Sequence, residues 1–475
     1  MSSITYPNVM ALDYLTVTGA VTPQFKQLAT HKISIGYQML MAYEVTKSGG
    51  FSWYGSAPAN KNLTTFGLTL FTDMARVAYV DETLIPRMQN FLFSSQDYDG
   101  SWSADRTNYL PSYSNDLYST AYIAGAIAYS GYTGPKLDLA RQYIKNNLAS
   151  ALSLYDKALC AEALILINKN DADGISLLND LAAAVQTSGD ENYWQAASGT
   201  YGVMYSYGAS LNFELTGRIA TTMMRAGVHG DLVQGAINYL IAHKDALGNW
   251  MTTQSTVYAL RTLIMAQGSA GSDNADGTVT ITANATTLPA VTITPADADV
   301  VRFVSCRDYL QVGANNVTVQ FAGTGNPMAQ IVWRYYRGRT PPPPGDITIA
   351  LDYSKVSLTM DETVAVTVNI ANTRTNGRGA NTVVAEIGIP PGFALSADEL
   401  ELARYQGVID RYEIAGQQLN IYRNVLDASD SFEINYMLTP TCPLKVQTPV
   451  SKAYEYYAPE VGPGRADPIL LTVTN

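Results

Sequence analysis

Three cysteines and three histidines are the residues of this 475-residue chain best suited to nucleophilic or metal chemistry. A thiol becomes a nucleophile or ligand when a second thiol, a base or a metal partner stands close by. Cys160, Cys306 and Cys442 are far apart and form no C-x-x-C pair. Cys160 lies in the apolar run Ala158–Ile167, which suits a small core residue. His31, His229 and His243 are scattered and read as surface or helix-end residues. Two acidic pairs, Asp171-Ala172-Asp173 and Asp297-Ala298-Asp299, each lack a third acid. These spacings give no catalytic residue, no metal site and no cofactor, so the chain is expected not to be an enzyme.

The bulk properties narrow the field further. A net charge of −11 with no basic run argues against binding to a phosphate backbone, so no nucleic-acid partner is expected. No run of about 18 apolar residues exists, so no membrane span is expected. Met1–Leu15 has neither a basic start nor a continuous apolar stretch, and no signal peptide is expected there. The triplets at Asn62, Asn284 and Asn316 fit the glycan-acceptor pattern and point weakly to a secreted setting.

The period of the apolar residues changes twice. Up to about residue 268 it is helical, as in Ile175, Leu178, Leu181 and Val185. Ala121–Tyr129 and Ala158–Ile167 are apolar nearly all round, so those helices must be covered on every side. Gly49-Gly50-Phe51, Gly100-Ser101-Trp102 and Gly248-Asn249-Trp250 repeat one pattern between an amphipathic helix and a more apolar one. Asn192-Tyr193-Trp194 reads as a degenerate copy. Repeated helical hairpins with an inner and an outer set close into an α/α toroid.

Gly268–Gly277 has loop composition, and alternation follows it. Val279, Ile281 and Ala283 form one half-buried strand, and Val317, Val319 and Phe321 another. Pro341–Pro344 reads as a stiff linker. Beyond it Val364, Val366, Val368 and Ile370 alternate, as do Phe432, Ile434, Tyr436 and Leu438, which predicts an antiparallel β-sandwich. One helix is expected at Ser396–Tyr405, with Ser396 as N-cap and Glu399 closing a capping box.

Four segments in this order carry a resemblance. Tyr6–Leu15 (YPNVMALDYL), Gly248–Leu260 (GNWMTTQSTVYAL), Ile389–Phe393 (IPPGF) and Ser451–Tyr457 (SKAYEYY) resemble the α2-macroglobulin and complement thioester family. The resemblance covers essentially the whole chain. It implies a multidomain fold: a thioester-like toroid at 1–268, the trailing half of a CUB domain at 276–338, and a receptor-binding, macroglobulin-like sandwich at 346–475. It implies a C-terminal portion of a protein that traps proteases or tags targets covalently, placed outside the cell, at its surface or in the periplasm. Implied partners are proteases, reached through the full-length protein, and upstream macroglobulin and CUB segments.

The departures are equally informative. The family's thioester joins a cysteine to a glutamine three positions on, and no Cys-x-x-Gln occurs here. By the resemblance, that motif is expected just upstream of Met1. The family's acyl-intercepting histidine would lie in Ser103–Asn115, which has none, so direct transfer to amines is the expected chemistry. The helix Ser396–Tyr405 carries acids where the family's receptor recognition uses lysines. The family keeps its acyl group dry with aromatic side chains, and the matching strand here offers Tyr454, Tyr456 and Tyr457. Alternation places Tyr454 and Tyr456 on one face and Tyr457 on the other. Tyr456 or Tyr457 is expected to point at Met1–Tyr6.

Two other readings share these features. Gln96–Trp102 (QDYDGSW) is similar to the repeat of triterpene cyclases, but the Asp-x-Asp-Asp acid they need is missing. A prenyltransferase would need zinc ligands, and no histidine is near Cys160 in sequence. A thioester-less binding or adhesion module is the remaining alternative, favoured by the 32 tyrosines.

Overall fold

The computed structural model describes residues 1–17, 21–46, 48–104, 115–245, 248–269, 275–295, 302–325, 327, 329, 331, 333, 345–457 and 462–475. The linker Pro341–Pro344 and most of the loop Ser103–Asn115 lie outside the described residues.

The first half is helical. In chain order come α1 (Ser2–Val17), α2 (Pro23–Met41), α3 (Lys61–Met74), α4 (Leu84–Ser94), α5 (Asp116–Tyr129) and α6 (Pro135–Asn146). They are followed by α7 (Leu154–Ile167), α8 (Ala172–Ala183), α9 (Gly208–Ala226), α10 (Gly230–Ala242) and α11 (Thr253–Ser269). Each odd-numbered helix packs on the next odd one, and α11 returns to α1, which closes the inner ring. The even-numbered helices each lie outside an inner partner. Residues 117–127 of α5 are all buried, as the apolar run requires. Cys160 is fully buried within α7.

The repeat has a common geometry. The indole N–H groups of Trp102, Trp194 and Trp250 donate at 2.7 Å to the carbonyls of Leu92, Leu181 and Leu240, near the ends of the preceding outer helices. The backbone N–H of each tryptophan, and that of Phe51, donates to a threonine of the next inner helix. The acceptors are Thr64, Thr120, Thr216 and Thr256. Asn192-Tyr193-Trp194 is thus a full member of the repeat, displaced by the short hairpin Gln186–Tyr193. Gly100 (φ 91°) shows why glycine precedes the aromatic, because an added Cβ would stand 2.4 Å from the Leu139 carbonyl carbon. Gln96 braces the same turn, donating to the carbonyls of Gly100 and Lys136.

Two expectations need correction here. Asn62 lies in the first turn of α3 and is only 7% exposed, so its triplet is not presented as a glycan acceptor. The inner helix α11 runs on to Ser269, past the boundary set by loop composition.

Beyond the toroid, Asp276–Ala283 pairs with Val317–Thr324, Val291–Ile293 and Thr286–Thr287 in one antiparallel sheet. Its apolar residues Val279, Ile281, Val317, Val319 and Phe321 remain only half-buried.

The C-terminal sandwich has two main sheets. One orders Phe393–Ser396, Ser431–Pro440, Val364–Asn372 and Ile347–Tyr353. The other orders Arg411–Ala415, Gln418–Leu426, Ala380–Gly388, Ser451–Glu455 and Gly464–Ala466. Val366 sits opposite Tyr436 and Val368 opposite Ile434, and all four are buried between the sheets. The sandwich helix α12 (Asp398–Tyr405) begins later than expected. Ser396 is held extended by pairing with Met437, so it ends a strand and Ala397 becomes the N-cap. Glu399 therefore closes no capping box.

Candidate functional site: the contact between toroid and sandwich

The inner helices direct a polar cluster at the axis of the ring. Arg218 of α9 pairs with Glu162 of α7 and with Glu214 at 3.1 Å. Its guanidinium lies 4.1 Å from the Tyr258 ring centre. Burial disfavours its charge, but Glu162 and the neighbouring groups outweigh that and hold its pKa well above the ordinary value. Tyr155 donates to Glu214 at 2.5 Å and accepts the Val203 N–H at 3.1 Å. Arg261, which also lies by the Tyr258 ring, donates to Tyr6 at 2.8 Å and to Asp73 at 3.2 Å. The adjoining cavity is about 20 Å³. Pockets that hold organic ligands are typically about 300–1,000 Å³.

The richer surface lies where the sandwich meets the toroid. The toroid presents Tyr43, Trp53 and Tyr54 from the first repeat and Tyr201, Tyr205 and Tyr207 from the loop before α9. The sandwich presents Arg378, Arg411, Asn424 and Tyr457. The Tyr457 ring packs 5.4 Å from Tyr205, which in turn packs on Trp53 at 6.2 Å. Tyr54 donates to Asn424 at 3.0 Å, and Arg411 lies over the Tyr54 ring at 5.6 Å. Arg378 stacks 3.9 Å from the Tyr207 ring centre and 5.3 Å from that of Tyr201. Arginine over tyrosine combines cation–π attraction with a weakly hydrated, flat cation.

Glu455 fixes that arginine from within the sandwich. It accepts from Arg374 at 2.8 Å, from Arg378 at 3.3 Å and from the Asn381 N–H at 3.1 Å. Arg374 is also tied to Asp346 at 2.9 Å. Among the described residues, aromatic and charged side chains thus carry this contact. Interfaces of this kind between domains separate more readily than a shared apolar core.

Each of the three expected tyrosines has a distinct place. Tyr454 donates to Glu386 at 2.6 Å on the outer face of its strand. Tyr456 is 47% exposed and meets Tyr457 edge-on at 5.0 Å. Tyr457 reaches the toroid, but its ring partner Tyr205 lies on a loop rather than in Met1–Tyr6. Burial first, then Tyr456 and Tyr54, raise its pKa, so the phenol stays neutral. Tyr6 is fully buried at the ring axis and donates to Asp73 at 2.6 Å. The loop Tyr201–Tyr207 (YGVMYSY), Arg378 and Glu455 were not singled out by sequence. The loop's aperiodic run of tyrosines was the available signal.

Tyr205 carries a further mark. Its φ is 68°, a left-handed conformation that costs a bulky residue about 1–3 kcal/mol and persists only where its surroundings enforce it. Its ring is 6% exposed.

Comparison with known proteins agrees with this architecture. Residues 1–265 match the family described as the A-macroglobulin TED domain, and residues 378–462 that described as the A-macroglobulin receptor binding domain. Ovostatin of Gallus gallus is 21% identical over 479 residues, covering 96% of this chain and 32% of ovostatin. Thioester-containing protein 1 (allele S3) of Anopheles gambiae is 23% identical, covering 54% of this chain and 19% of its own length. Native α2-macroglobulin of Escherichia coli, solved from domain MG7 to its C-terminus, superposes with a TM-score of 0.66 at 14% identity. That superposition covers 97% of this chain and 70% of the other. Salmonella α2-macroglobulin reacted with methylamine gives 0.66 at 16% identity, over 100% of this chain and 30% of that one. The chain thus spans about a third or less of the curated relatives it matches. With a family match over more than half of its length and a closed helical ring joined to a sandwich, the chain belongs to the A-macroglobulin family.

Proposed function

We infer that this chain keeps a reactive acyl group dry, and gives access to it when the sandwich withdraws from the toroid. The observation that carries this reading is the Tyr457 ring against Tyr205 at a contact built from tyrosines and arginines. Such a contact excludes water while closed and is separable, as a cover must be. A strained acyl group is hydrolysed quickly wherever water reaches it. In the whole protein the cover would open after protease cleavage elsewhere, and the output would be protease trapping or covalent tagging of a target. The half-buried sheet at 276–324 would receive the upstream macroglobulin and CUB segments. The setting would be extracellular, at the cell surface or periplasmic. The chain acts in this scheme without catalytic residues of its own.

Two experiments test this. In the full-length, thioester-bearing protein, Tyr457→Ala should speed appearance of the free cysteine thiol by about threefold to tenfold, the worth of one aromatic contact. An unchanged rate would remove Tyr457 from the cover. The 475-residue chain alone should take up no labelled methylamine, because none of its cysteines is followed at the third position by glutamine. Stoichiometric uptake that survives denaturation would contradict the scheme.

A further inference from the structure

The loop Tyr201–Tyr207 touches the sandwich at one end and, through two hydroxyl contacts, the start of α1 at the other. Its lower part is fixed. Tyr118 donates to the Tyr201 carbonyl at 3.2 Å, and Tyr155 accepts the Val203 N–H at 3.1 Å. The Gly202 N–H donates to the Ser206 carbonyl at 2.8 Å. Its upper part carries Tyr205, held left-handed with its ring between Trp53 and Tyr457. The next residue, Ser206, is fully buried, and its hydroxyl lies 3.5 Å from that of Thr252. Thr252 belongs to the turn entering α11, where Met251 is also left-handed, with φ 65°. Thr253, the first residue of α11, hydrogen-bonds through its hydroxyl to Ser3 of α1 at 2.8 Å.

We propose that the loop Tyr201–Tyr207 is a relay that couples docking of the sandwich to the order of the first turns of α1, with Tyr205 and Ser206 as positioning residues. The proposal rests on the cover function inferred above and names its internal regulation. The physical basis is stored backbone strain. A bulky residue relaxes from the left-handed region once the groups enforcing it withdraw. When Tyr457 leaves, Tyr205 loses a ring that packs against it. Because Tyr201 and Val203 stay anchored below, the relaxation falls on Met204–Ser206 and breaks the hydrogen bond from the Gly202 N–H to the Ser206 carbonyl. Ser206 then shifts from Thr252, the turn Trp250–Thr253 loosens, and Ser3 loses its hold on α11. Two left-handed non-glycine residues, Tyr205 and Met251, whose following residues Ser206 and Thr252 meet through their hydroxyls, suit a two-position element better than passive packing does.

The test is amide hydrogen exchange on the intact 475-residue chain. Tyr457→Ala should speed exchange at Ile4–Met10 and Met251–Thr256 by roughly threefold to tenfold, the range set by loss of one aromatic pair. The outer helix α6 should be unchanged. Tyr205→Gly, which is unstrained at this φ, removes the stored strain, so it should leave α1 exchange near the parent's and make it insensitive to Tyr457→Ala in the double variant. Ser206→Ala should raise exchange in α1 and make it insensitive to Tyr457→Ala, and it serves if Tyr205→Gly does not fold. Parental exchange in α1 of Tyr457→Ala, with faster exchange in Tyr201–Tyr207, would overturn the relay. Additive effects in the double variant would do the same. Neither readout needs an acyl group, so failure of the relay is distinct from failure of the cover, which the thiol-release rate reports.

Discussion

Replacing Arg218 with alanine should destabilise the toroid by about 3–5 kcal/mol, the cost of leaving a buried ion pair without one partner. The side chain of Arg218 is 2% exposed and those of its carboxylate partners Glu214 and Glu162 are 1% and 14% exposed. Without the guanidinium, two carboxylates would face each other at the ring axis with little water. The stacking on Tyr258 would go as well. Urea unfolding followed by helix signal should show a lower midpoint at unchanged slope. Arg218→Met combined with Glu162→Gln and Glu214→Gln removes all three charges and should recover most of the loss. A triple variant as weak as the single one would mean that lost packing explains the effect.

The helical ring was legible because its signals are local. The tryptophans and their glycines stand in short fixed patterns, and an all-apolar run can only be an inner helix. The threonines that receive the aromatic N–H groups were not legible. They follow their aromatic residues by 13, 18, 22 and 6 positions, since each loop has its own length. The sandwich strands were legible through strict alternation at Val364–Ile370 and Phe432–Leu438. Alternation fails at strand ends, however. The strand Ser451–Glu455 ends where the Tyr456 N–H donates to the Thr382 carbonyl, so the directions of Tyr456 and Tyr457 are set by the turn they form. Ser396 was misassigned for a related reason: pairing with Met437 took precedence over a good local cap. The interface itself rests on partners remote in sequence. Tyr54 and Asn424 are 370 residues apart, and Arg374 and Glu455 are 81 apart. No window of sequence holds both members of either pair. The loop Tyr201–Tyr207 was visible only as a cluster of tyrosines without a period, which describes composition and leaves direction open.

Glu455→Ala is expected to act on the sandwich and on its contact with the toroid at once. Glu455 and Arg374 have side chains 2% and 3% exposed. Removing the carboxylate leaves Arg374 with Asp346 as its ion-pair partner and the Asn381 N–H without its acceptor. A loss of about 3–5 kcal/mol in the stability of the sandwich follows from breaking a buried pair. Arg378 also loses the group that holds its guanidinium over Tyr207 and Tyr201. The contact should then loosen, and X-ray scattering at low angle should report a larger radius of gyration. Arg378→Ala separates the two consequences. Arg378 is only partly buried, and the Arg374–Glu455 pair survives its removal. That variant should enlarge the particle while the melting of the sandwich strands stays near the parent's. In 0.5 M salt the parent should shift the same way by a smaller amount, since partly buried charges are screened less than exposed ones. If Glu455→Ala melts with the parent, Asp346 alone suffices to neutralise Arg374, and the latch lies elsewhere. If Arg378→Ala leaves the scattering unchanged while Tyr457→Ala enlarges the particle, the tyrosine rings hold the two parts together and the arginine merely fills the space beside them.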